Sequence, residues 1–106
     1  MEDRDRRELT DSIYKMMECK EAQTRLIIDK FLDDIALFDK KHSDYGSQNI
    51  SKFGLIGVLV RSSDKIERLI NLKDKEELNE SIEDSWQDLT VYGAIARVVL
   101  DNNWKN

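Results

Sequence analysis

The sequence predicts an all-α protein, a bundle of four or five helices forming one domain across its 106 residues. Three observations lead there. Proline is absent, and the only glycines are Gly46, Gly54, Gly57 and Gly93, so long stretches lack the two strongest helix breakers. Apolar residues recur at helical spacing along most of the chain. Hydrophobic residues make up 40% and charged residues 37%, which supplies a core beneath a charge-rich surface.

The elements follow in order. Residues 4 to about 20 read as a first helix with a thin apolar stripe, Leu9, Ile13, Met16 and Met17; the charged residues 1–8 are expected to fray. A break near "KEAQT" separates it from the next helix, or the two run on as one bent helix. Residues 24–42 place Ile27, Ile28, Phe31, Leu32, Ile35 and Phe38 on one broad face, with Asp29, Lys30, Asp33 and Lys40 away from it. His42 continues the apolar face, where a hydrogen-bonded, partly buried imidazole is expected rather than a ligand. "HSDYGSQN", 42–49, is the main loop, with Gly46 suited to a left-handed turn. Ser51 is expected to cap a helix over 52–72. After a short charged connection, a last helix over 76–101 ends at Asn102 and Asn103. Short loops imply mainly antiparallel packing.

Bulk properties narrow the function classes. A net charge of −5 argues against duplex nucleic acid held by a general basic field. The single Cys19 excludes an intrachain disulfide and suits a reducing compartment. One Cys and one His do not make a Cys/His zinc site within one chain. No apolar run approaches the roughly 18 residues of a membrane span, and "MEDRDRREL" lacks the apolar region of a signal peptide. A cytoplasmic protein without a membrane partner is expected.

Two helices carry a second face. In the 52–72 helix, Leu55, Leu59, Ile66 and Leu69 make an apolar stripe with Ser62 in its middle. Gly57, Arg61, Asp64 and Arg68 make another, within a sector of about 60° at 100° per residue, and Lys65 lies at its edge. Exposed Arg61–Asp64 and Asp64–Arg68 pairs would give an ordinary solvated face, each pair contributing about 0.2–0.5 kcal/mol. In the last helix, Glu80, Asp84, Asp88 and Tyr92 are spaced by four, opposite Ile82, Ser85, Trp86, Leu89, Gly93 and Ala96. The acidic stripe runs on into Val91, Ile95 and Val98, so Asp84 and Asp88 are expected to be partly buried, and the apolar end of this helix points to a second subunit. Buried carboxylates need partners. Arg61, Lys65 and Arg68 are one set; a magnesium ion with a phosphate group is the other.

The order Asp44-Tyr45-Gly46, Asn49, Phe53-Gly54, Gly57, Arg61-x-x-Asp64-Lys65-x-x-Arg68, Leu72 and Glu80-Ser81-x-x-Asp84-x-x-x-Asp88-x-x-x-Tyr92 resembles the first of the nucleotide-modification-associated domains, small proteins of bacteriophages and their hosts. The likeness covers roughly residues 40–96. More distantly it resembles the all-α nucleotide pyrophosphohydrolases of the MazG and dimeric dUTPase type. That resemblance implies a homo-oligomer of the bacterial cytoplasm, phage-encoded or not, that binds a nucleotide or nucleotide-derived small molecule. It implies Mg2+ on Asp64, Asp84 and Asp88, catalysis by Glu80 and Asp84, and phosphate contacts from Arg61, Lys65 and Arg68. Tyr45, Asn49 and Tyr92 are the matching candidates for the base, with Trp86 a further stacking aromatic. One departure stands out: where those hydrolases carry Glu-Glu-x-x-Glu or Glu-Glu-x-x-Asp, this chain has Arg61-Ser62-Ser63-Asp64-Lys65. Cations in that place favour direct phosphate binding over several metal ions. Three functions remain open: a magnesium-dependent phosphohydrolase, a non-catalytic binder that sequesters a nucleotide or nucleotide-derived signal, and a structural helical dimer.

Overall fold

The computed structural model describes residues 1–75 and 79–105, with only the backbone of Asn79 and Glu80. Five helices and no strand occur among the described residues: α1 (Asp3–Met16), α2 (Gln23–Tyr45), α3 (Gln48–Ser51), α4 (Gly54–Leu72) and α5 (Asn79–Leu100). The protein is all-α. No helix of the described residues is long and apolar enough to cross a membrane. The chain divides into two compact units, Met1–Leu37 and Phe38–Asn106. Helix α2 contributes to both.

The helix ends follow local chemistry. Residues 3–8 are helical rather than frayed, because Asp3 and Asp5 sit in the first turn of α1, where the helix dipole favours negative charge. The break after α1 is real. Glu18 takes a left-handed φ of 56°, its N–H donates to the Lys15 carbonyl and the Cys19 N–H to the Tyr14 carbonyl. That paired bonding is a Schellman stop. Asn102, at φ 58°, ends α5 in the same way, with Asn102 N–H on Val99 and Asn103 N–H on Val98. Gly46 terminates α2 at φ 76°, so residues 42–45 extend the helix into what the sequence read as loop. Ser51 closes the additional short helix α3 instead of capping α4. The chain enters α4 through Phe53 and a left-handed Gly54.

In unit 1–37, Arg6 of α1 meets α2 farther along than Asp11 does, as in an antiparallel hairpin. Arg6 reaches Asp33 at 2.7 Å and Asp29 at 3.0 Å. Asp11 bonds Arg25, whose guanidinium lies 4.0 Å from the Tyr14 ring centroid. Hydrogen bonds from Lys15 and Arg25 hold the Asp11 carboxyl below its usual range. Ile28 is buried, but Ile27, Phe31 and Ile35 are each about half exposed or more, unlike the broad inward face expected of them. The partner stripe on α1 is thin, and the connections are long charged side chains, which hold helices together without closing apolar surface between them.

Unit 38–105 holds the larger core. Helices α4 and α5 pack antiparallel, with Val58 and Ile95 buried together beside Ile50 of α3. Phe38, Val91, Tyr92, Ala96, Val99 and Trp104 surround them. His42 stacks on Phe38 at 5.2 Å between centroids, and its Nε2 lies 3.0 Å from the Ser47 hydroxyl. The expected hydrogen-bonded, partly buried histidine is what the fold contains. Trp104 stands edge-on to both rings and donates to the Ser47 carbonyl at 3.0 Å, tying the end of the chain to the α2–α3 turn.

Gly57 is a close-approach position. A Cβ built there would lie 2.6 Å from the Phe53 Cβ, an atom that no rotamer change can move away. Gly57→Ala gains up to about 1 kcal/mol of helix propensity, but the forced overlap costs about 1–3 kcal/mol. A net loss of about 1 kcal/mol is expected, measured as a lower denaturant midpoint at unchanged m value.

Candidate functional site

The polar centre of unit 38–105 is the carboxylate of Asp88. It sits on the inward sector of α5, where Asp88 is 8% and Ser85 2% exposed. Ser85 turns its hydroxyl onto the Ser81 carbonyl at 2.9 Å, and Ser62 of α4 does likewise onto Val58 at 2.8 Å. These small side chains satisfy themselves locally. Lys65, projecting from α4, places Nζ 2.9 Å from Asp88 Oδ2, and Lys41, from the last turns of α2, places Nζ 3.0 Å from Oδ1. Both carboxylate oxygens therefore accept from ammonium groups.

The electrostatics follow from that geometry. Burial pushes the Asp88 carboxyl up, but hydrogen bonds from Lys65 and Lys41 and their charges outweigh it, and the group lies below the usual carboxylate range. It stays ionised at neutral pH, where the two lysines leave the triad one positive charge in excess. One turn before Lys65, the half-buried Arg61 donates to the Asn49 side-chain carbonyl on α3. This adds a further cation on the same helix.

The other sequence candidates distribute as follows. Asp64, Arg68 and Asp84 are exposed. Asp88 alone of the paired aspartates is buried, because one helical turn rotates Asp84 out of the inward sector. Tyr92 is half-buried against the core cluster, Tyr45 is 72% exposed, Trp86 is 59% exposed, and Asn49 is engaged by Arg61. The Glu80 side chain lies outside the described residues. Lys41 was missed entirely. It lies on the far element of the unit, and nothing in its local spacing distinguishes it from Lys40.

Among the described residues no three His, Cys, Asp or Glu side chains converge. Both Asp88 oxygens accept from lysines, so that one carboxylate holds two ammonium groups side by side. Compared with known protein families, characterised proteins and solved structures, the chain matches none of them.

Proposed function

We propose that unit 38–105 is a non-catalytic binding module for a phosphate-bearing small molecule, a nucleotide or nucleotide-derived signal, taken up without metal. The observation that carries this reading is the Lys41–Asp88–Lys65 bridge. Each ammonium has three donors, and Asp88 uses one from each, leaving the others for an anion. Lys41 is half exposed and Lys65 a quarter exposed, so the pair is reachable from solvent. Asp88 serves as the buried anchor that holds two like charges together; a phosphate then neutralises their excess. Arg61 adds a planar donor suited to phosphate oxygens. Exposed Tyr45 and Trp86 are available surfaces for a base.

The test is thermal unfolding and calorimetry with ATP, dUTP and inorganic tripolyphosphate, each with magnesium and with EDTA. Stabilisation in EDTA, with the nucleotide recovered intact, is the expected result. Lys41→Gln should weaken binding about tenfold while the fold persists, since Lys41 is half exposed. Stabilisation confined to magnesium, with pyrophosphate released, would return the hydrolase. No stabilisation by any of the three ligands would overturn the binding reading.

A further inference from the structure

The two lysines of the bridge are held in place by different means. Lys65 projects from α4, which packs directly on α5, the helix that carries Asp88, around buried Val58 and Ile95. Lys41 projects from the last turns of α2, and its side chain is 51% exposed, so burial does little to fix it. Its place beside Asp88 is set by the backbone of those turns. Phe38 and His42, three residues before Lys41 and one after it, stack on each other one turn apart, and both rings meet Trp104.

Trp104 lies beyond α5. The left-handed Asn102 stops that helix, and the chain turns toward the α2–α3 connection. The indole stands edge-on to both rings, 6.1 Å from Phe38 and 5.5 Å from His42 between centroids, and its Nε1–H donates to the Ser47 carbonyl at 3.0 Å. Phe38 and Trp104 also pack against the Ile50, Val58 and Ile95 cluster. Ring edges and a directed hydrogen bond fix an orientation as well as a depth of burial. One side chain thus joins the end of α2, the residue before α3 and the core shared by α4 and α5. We infer that Trp104 is a positioning residue for Lys41: it fixes the last turns of α2 so that the Lys41 ammonium meets Asp88 Oδ1 and shares an anion with Lys65. Groups that bind a ligand keep their geometry only as well as the side chains behind them keep theirs. The shared anion rests on the phosphate reading; the placement of Lys41 on Asp88 does not.

The test uses the full chain and two substitutions. Trp104→Leu removes the aromatic edge and the donor; Trp104→Phe keeps an aromatic edge and removes the donor to Ser47. Without ligand, the titration of the Asp88 carboxyl carbon is followed by NMR. Lys41→Gln should move it upward, Trp104→Leu should move it about as far, and the double variant no farther, whereas adding Lys65→Gln to Trp104→Leu should raise it again. With inorganic tripolyphosphate in EDTA, calorimetry should show about tenfold weaker binding for Trp104→Leu, as for Lys41→Gln, with no further loss on combining them. Trp104→Phe should lose about threefold, the share of one hydrogen bond. A general loosening of the unit would weaken both lysine contacts together, so an equal loss of the Lys65 effect in Trp104→Leu overturns the inference. So does an Asp88 titration in Trp104→Leu that matches wild type. If Trp104→Leu does not fold, Trp104→Phe carries the same comparison: an effect absorbed by Lys41→Gln supports the inference, and one that adds to it overturns it. A wild-type chain that binds no tripolyphosphate overturns the phosphate reading and leaves the Asp88 titration to decide the role of Trp104.

Discussion

Replacing Asp88 by alanine is expected to lower the stability of unit 38–105 by about 2–3 kcal/mol, among the largest effects of any single polar substitution. The carboxylate is 12% exposed in its side chain and accepts from Lys65 and Lys41. Removing it leaves Lys65, only 26% exposed, beside a second cation without its counter-charge. The half exposure of Lys41 lets water compensate part of the loss, so the effect stays below the 3–5 kcal/mol typical of a fully buried pair. Both tryptophans, Trp86 and Trp104, lie in this unit, so their fluorescence during denaturation follows it directly.

The bridge also sets a pH dependence. The folded Asp88 carboxyl lies below its usual value, so the unfolded chain takes up the proton first as pH falls. Its stabilising contribution is complete above about pH 4, the unfolded value, and is lost as pH falls through the lower folded value. Asp88→Asn cannot titrate there. The stability gap between wild type and Asp88→Asn should therefore be constant from about pH 5 to 7 and narrow below about pH 4. A gap that stays constant down to about pH 2.5 would show that the bridge does not lower the Asp88 carboxyl below its unfolded value.

Ile95→Ala is expected to cost about 2–4 kcal/mol, through lost burial and the cavity left between α4 and α5. Ile95 is 7% exposed and packs with Ile50 and Val58; Leu69 is the remaining buried apolar side chain described in this unit. A core this small has few neighbours able to collapse into the space. For a unit of this size the thermal midpoint should fall by about 10–20 °C, followed by tryptophan fluorescence. Trp86→Ala, a larger truncation at a 59% exposed site, should move it by only a few degrees. Equal shifts for the two would mean that Ile95 is not in the core.

Helical class, helix order and the left-handed stop at Gly46 follow from the sequence, because helix propensity, capping and 3.6-residue spacing are local properties. The same holds for Asn102 as the end of α5. The acidic and basic stripes were also legible, since they need only a helical angle. Which member of each stripe turns inward was not. Asp84 and Asp88 differ by one turn and roughly 40° of rotation, a drift set by 3.6 residues per turn. Their separate fates depend on how α5 rolls against α4, a roll that buries Val58 and Leu69 on α4 and Ile95 on α5. On α4 the sequence offers apolar residues over more than one sector, and only contact with α5 selects Val58 and Leu69 over Leu59 and Ile66. Lys41 reaches Asp88 across 47 residues of chain, and no local rule links them. Local chemistry determined the helices and the ingredients of the charged cluster; long-range packing determined which carboxylate is buried, which lysines hold it and which apolar residues of α4 stay exposed.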